Sequence, residues 1–228
     1  MNPWLSIPAA DYEGHMGPGG ADQLAPLARI FGEVVGEARP PSVALLGCAT
    51  GNGLEAIDPA VTSRVVGVDL NPEYLALARS RHGALGDRLD LRCADLLTCA
   101  LEPAAFALVH AALVFEHLDP AALAPRIAGW LATGGLCSVV LQAAAPGEAP
   151  PPVSRTGFSS LEALSATMRL VSPPELTRLF AAHGLGERRA WQVPLPHGKA
   201  FQVAIYDRPA GVPGRLAGQR PVEASCRA

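Results

Sequence analysis

The residues best placed to do chemistry fall at the ends of three short apolar runs. The first run, Val43–Leu46, passes into Gly47-Cys-Ala-Thr-Gly-Asn-Gly53. Glycine has no Cβ, so Gly47, Gly51 and Gly53 allow a sharp turn and the close approach of a ligand. A helix starting near Asn52 would add free N–H groups for a carboxylate or phosphate. The second run, Val65–Val68, ends in Asp69, about 18 residues after Gly51, where a carboxylate can accept hydrogen bonds from both hydroxyls of a ribose. Asp69 could instead cap the following helix, but Asn71, just before Pro72, is an equally good cap and leaves Asp69 free. The third run leads to Cys93-Ala-Asp-Leu96. Asp95 there can accept from an adenine amino group while Leu70 and Leu96 sandwich the ring. Taken alone, Asp95 is a loop or cap residue; beside Asp69 it favours the ligand.

These positions need a frame that gathers strand ends on one side. Val43–Leu46, Val65–Val68, Leu89–Leu91, Phe106–His110 and Leu136–Leu141 are apolar runs too short for helices. Helical patterns fall between them, notably over Pro72–His82 and Pro120–Ala132. This alternation predicts an α/β fold with buried parallel strands, helices on both faces and a ligand beyond the carboxyl ends. A further helix is expected from Ala21 to about Glu37, ended by Arg39-Pro-Pro41, and residues 1–20 read as irregular. Toward the other end, Ala143–Ser154 reads as a loop and Pro173–His183 as a helix. Glu187–Val193 and Lys199–Tyr206 read as two antiparallel strands. Three parts follow: an N-terminal arm or lid over 1–20, one domain over 21–207, and a disordered tail over 208–228.

The three sites together describe an adenosine pocket, which fits nicotinamide dinucleotides and S-adenosylmethionine. A dinucleotide turn needs G-x-G-x-x-G, and from Gly47 this chain reads G-C-A-T-G-N-G. The chain resembles the class I S-adenosylmethionine-dependent methyltransferases in "LLGCATGNG" (45–53), "VVGVDLNPEYLALAR" (65–79), "CADL" (93–96), "FALVHAALVFEHL" (106–118) and "LATGGLCSVVL" (131–141). The later pieces "VSPPELTRLFAAHGLG" (171–186) and "KAFQVAIYDR" (199–208) follow in the same order. The resemblance implies a Rossmann-like, mostly parallel seven-stranded sheet with an antiparallel last strand. It also implies S-adenosyl-L-methionine across the first strand ends, with Thr50, Asn52 and the three turn glycines completing the donor pocket and Ala111 near the donor. The chain departs from the family at Leu45, where an acid commonly opens the first motif, at Ala49, where a glycine is usual, and at Ala107, where the fourth motif often has an acid. Something other than Leu45 must then hold the ammonium group of the donor.

The reaction implied is an in-line displacement at a sulfonium methyl, and a hydroxyl or ammonium acceptor must also lose a proton. His110 at the end of the fourth strand, and Glu116 and His117 at the expected start of the next helix, are the candidate bases. Each also has a plain structural alternative: a packed strand residue for His110 and a first-turn acid for Glu116. In the leader "PAADYEGHMGPGG" (8–20), Tyr12 is the aromatic expected to close over the donor. A net charge of −3 offers no basic field for nucleic acid, and no apolar run reaches the length of a membrane span. Five cysteines without a CxxC pair argue against a disulfide framework or a metal site. The expectation is a cytoplasmic enzyme methylating a small molecule. A non-catalytic S-adenosylmethionine-binding protein and an NAD(P)-dependent oxidoreductase stand as alternatives.

Overall fold

The computed structural model describes residues 2–143, 154, 156–196 and 199–210. Its strands are β1 (Ser42–Leu46), β2 (Arg64–Asp69), β3 (Leu89–Cys93), β4 (Phe106–Ala112), β5 (Leu131–Ala143), β6 (Gly186–Pro194) and β7 (Ala200–Asp207). They form one seven-stranded sheet in the order β3-β2-β1-β4-β5-β7-β6. β1 to β5 pair in parallel, while β7 lies antiparallel between β5 and β6. The order reverses between β1 and β4, which opens a crevice beyond their carboxyl ends.

Among the described residues there are five α-helices: α1 (Ala9–Met16), α2 (Leu24–Ala38), α3 (Pro72–Arg81), α4 (Pro120–Trp130) and α5 (Pro173–Ala182). The central strands alternate their apolar residues between two covers. Ala44, Leu46, Val66 and Val68 meet Leu123 and Ile127 of α4 and Leu176 and Phe180 of α5. Val43, Leu45 and Val65 meet Phe31, Val34 and Val35 of α2 and Leu75 and Ala78 of α3. Both faces are thus sealed, which is why these strands read as continuous apolar runs. α3 begins as expected: Asn71 accepts the Glu73 N–H at 2.9 Å and Pro72 opens the first turn.

Three local expectations change. Residues 1–20 are not wholly irregular, because Ala9–Met16 is helical, with Ala9, Tyr12, His15 and Met16 buried along one face. The docking site supplies what local propensity lacks: the Ala9 N–H donates to the Glu73 carboxylate at 3.2 Å. α2 starts at Leu24 rather than Ala21, since the Ala21 and Gln23 N–H groups bond back to His15 and Met16 at the end of α1. No α-helix starts near Asn52. Gly53 has φ +94° and only a 3₁₀ turn over Leu54–Ala56 follows, with Pro59 close behind to block continuation. Most of the loop expected over Ala143–Ser154, and all of the tail past 210, lie outside the described residues.

Candidate functional site

Beyond the carboxyl ends of β1 to β5 lies a cavity of about 420 Å³. Its floor on one side is the end of β1 through β3: Gly47, Ala49, Asp69, Leu70, Asp95 and Leu96 all line it. Gly47 turns left-handed at φ +65°, and a Cβ there would meet Val114 at 2.9 Å. Ala49 also turns left-handed, at φ +44°, a conformation disfavoured for a residue with a Cβ. The structure therefore explains why a middle glycine is usual at this point. Asp69 Oδ2 accepts the Ala49 N–H at 2.8 Å and Oδ1 accepts the Asn71 N–H at 2.9 Å. Each oxygen keeps a second lone pair for a ligand. Burial raises the Asp69 pKa, opposed by these backbone donors. Asp95 is exposed at the rim, and its Oδ1 accepts the Leu97 N–H at 2.8 Å.

The remaining turn residues face protein. The Thr50 hydroxyl donates to Glu13 of α1 at 2.7 Å, and Asn52 donates to the Leu24 carbonyl at 3.0 Å. Gly51 lies against His82 and Ala78, and Gly53 against Phe31. These residues bind α1, α2 and α3 to the back of the turn and do not line the cavity. Gly51 and Gly53 are still needed as glycines, with φ +87° and +94°.

α1 closes the cavity from above. Tyr12 lines it, buried between Trp4 at 6.3 Å and Tyr74 at 5.1 Å between ring centroids, and burial pushes its hydroxyl pKa up. The helix is held at several points. Glu13 pairs with Arg81, Asn71 donates to the carbonyls of Trp4 and Ile7, and Asp11 accepts from Ser160.

The other side of the cavity is the end of β4 and β5 with the segment before α5. Ala112, Leu113, His117, Leu118 and Gln142 line it, capped by Leu161, Leu164, Thr167 and Met168. His117 stands edge-on to Trp4 at 4.9 Å between centroids, and its Nδ1 is sealed without a partner. Burial lowers its pKa to about 4, so the ring is neutral near pH 7.

The two other candidate bases fall elsewhere. His110 is 3 % exposed on the α2 face, its ring 5.0 Å from Phe31, and burial lowers its pKa to about 4. It is a packed strand residue away from the cavity. Glu116 is fully buried and precedes α4 rather than starting it, since Asp119 is the N-cap. Its Oε1 accepts the Gln142 N–H at 2.7 Å and its carbonyl accepts the Arg169 N–H at 2.9 Å. Burial pushes its pKa up to about 7. Glu116 braces the wall and does not line it. Ala111 packs into the α4–α5 core, and the cavity wall is formed by Ala112 and Leu113. Sequence reasoning missed Trp4, Gln23, Tyr74 and Gln142. Of these only Tyr74 had a signal, in helical spacing behind Asn71.

The donor set of two strand-end carboxylates, an aliphatic pair and a glycine turn suits a nucleoside bearing a small polar tail. It does not suit a pyrophosphate, because the turn leads into a 3₁₀ turn and presents no α-helix N-terminus. Comparison agrees. Residues 43–135 match a family model described as a methyltransferase domain. Among solved structures, the chain is similar to geranyl diphosphate C-methyltransferase from Streptomyces coelicolor A3(2), solved with Mg2+, geranyl diphosphate and S-adenosyl-L-homocysteine. The TM-score is 0.63 at 15% identity, over 85% of this chain and 87% of that one. It is similar to a 1,6-didemethyltoxoflavin-N1-methyltransferase from Burkholderia thailandensis, at TM-score 0.60 and 20% identity over 82% and 78% of the two chains. The [4+2]-cyclase SpnF shares the fold equally well, at TM-score 0.64 and 15% identity over 81% of each chain. No curated protein sequence matches.

Proposed function

We propose that this chain, a class I S-adenosylmethionine-dependent methyltransferase by its domain match and its sheet, passes a methyl group to a small-molecule acceptor. One observation carries the reading: a single cavity joins a nucleoside-shaped half over β1–β3 to an apolar half over β4 and β5. S-adenosyl-L-methionine bound there supplies an electrophilic sulfonium methyl. Asp69 would hold the ribose hydroxyls, Asp95 the adenine amino group, and Leu70 and Leu96 the two faces of the ring. Tyr12 would cover the donor from α1.

On the acceptor half, Leu113, Leu118, Leu161 and Met168 exclude water and shape the space. His117 lines this half and is the group placed to take a proton; burial leaves it uncharged near pH 7 and also makes it a weak base. Gln142 offers a carboxamide to orient a polar group of the acceptor. The small, largely apolar chamber and a net charge of −3 favour a small molecule over nucleic acid. Among the described residues no helix is long and apolar enough to cross a membrane.

Calorimetric titration with S-adenosyl-L-methionine, S-adenosyl-L-homocysteine and NADH tests the donor, and a panel of small acceptors tests turnover. The first two should bind and NADH should not. Tight NADH binding alone would overturn the reading, and donor binding without any turnover would favour a non-catalytic binder. With an acceptor in hand, His117→Asn should lower kcat by about 100-fold or more while donor affinity holds. Full turnover in that variant removes His117 as the base.

A further inference from the structure

Leu45 leaves the amino-acid end of the donor without the acid that commonly meets it. Its side chain packs on the α2–α3 face, in register with His110, and does not reach the cavity. Gln23, just before α2, is 2 % exposed and lines the cavity. Its backbone is committed: the N–H donates to the Met16 carbonyl at 2.8 Å and the carbonyl accepts the Leu27 N–H at 3.0 Å. Its carboxamide makes no hydrogen bond with the described residues. Its carboxamide is not sealed as the Tyr74 and Ser138 hydroxyls are, and the residue borders the cavity. Buried polar groups in native proteins find partners, and a ligand is the available one.

The position of Gln23 suggests which part of a ligand it meets. The neighbouring Leu24 carbonyl accepts from Asn52 at 3.0 Å, which ties the start of α2 to the glycine turn. Across the sheet the order is β3, β2, β1, β4. Asp95 and Asp69 stand beyond β3 and β2, the turn follows β1, and Gln23 lies beside that turn. A carboxamide donates and accepts at once, so it matches an α-amino acid, whose ammonium donates and whose carboxylate accepts. We propose that Gln23 recognises the amino-acid end of the donor, taking over the work that Leu45 cannot do. The proposal rests on the donor assignment above.

The test compares ligands with and without that end. S-adenosyl-L-homocysteine carries the amino acid; 5′-methylthioadenosine lacks it but keeps the nucleoside. In full-length protein, Gln23→Leu should weaken S-adenosyl-L-homocysteine by about 10-fold or more, the usual consequence of unpairing hydrogen bonds to charged groups. It should leave 5′-methylthioadenosine within about two-fold, which also shows that the variant is folded. Unchanged S-adenosyl-L-homocysteine affinity in Gln23→Leu, or equal losses for both ligands, would overturn the proposal. Wild-type protein that binds neither ligand would instead overturn the donor assignment on which it stands.

Discussion

The two halves of the cavity differ in how the chain builds them. Over β1 to β3, each functional group stands at or just past the end of its own strand. Asp69 and Asp95 are each held by the N–H two residues on, and one longer bond, from the Ala49 N–H, ties Asp69 to the glycine turn. Over β4 and β5, the wall is assembled from segments far apart in sequence: Trp4 beside His117, Gln142 held by Glu116, and Met168 next to Arg169, whose N–H the Glu116 carbonyl accepts. The first half is a strand-end motif and the second is a tertiary assembly. A scaffold of this kind can keep its donor site while its acceptor site changes, which fits a fold shared by chains of unlike activity.

The largest expected effect is on acid stability. His110 and His117 have pKa values lowered from 6.5 to about 4, so the unfolded chain takes up their protons first as pH falls through that window. Glu116, raised from 4.5 to about 7, works in the opposite direction, because its folded form holds the proton as pH rises toward 7. Between about pH 4.5 and 6.5 the two histidines outweigh Glu116, so stability falls as pH falls; His15, lowered by burial, adds to the fall, and Asp69, raised by burial, opposes it. Urea unfolding at pH 5 and pH 7 measures this, and His117→Asn should flatten the profile. A steep profile in that variant would mean that the acceptor half does not bury its histidine as described.

On the other half, Asp69→Ala should weaken donor binding by about 1–3 kcal/mol, since it removes a charged acceptor and unties the Ala49 N–H. Acceptor-side variants should leave that affinity alone, and calorimetry reads both. α1 spans the two halves, so its clamp tests whether they are coupled. Glu13→Ala removes the Thr50 and Arg81 contacts and should cost about 1 kcal/mol of local stability. Faster amide exchange over residues 9–16, with β2 unchanged, is the expected signature. The smallest effect is a gain: Ala49→Gly relieves a left-handed alanine and should stabilise by about 0.5–1 kcal/mol. A loss there would mean that the Ala49 methyl packs usefully with Tyr12 and Tyr74.

Leu113, at φ +55°, is a second left-handed residue other than glycine on the cavity wall. Strain of this kind gathers at binding sites, where surrounding structure holds it. Nothing in "HAALVFEHL" announces it. The same is true of the helix over Ala9–Met16, whose own sequence is weak and whose stability comes from Glu73, Arg81 and Ser160. The strands were plain because both faces are buried, and the cap at Asn71 because it is local. Glu116 and His117 are adjacent in sequence and were candidates for one task. The turn before α4 sends the first into the wall and the second into the cavity.

From sequence alone came the alternating α/β frame, the antiparallel final pair, and the glycine turn with its two strand-end acids. All of these rest on periodicity and on interactions within a few residues. Tertiary structure alone decided that Thr50, Gly51, Asn52 and Gly53 face helices rather than the cavity, that His110 is core, and that Gln23 and Gln142 are walls. Those assignments depend on which face of an element meets which neighbour, and that is settled only when distant segments pack.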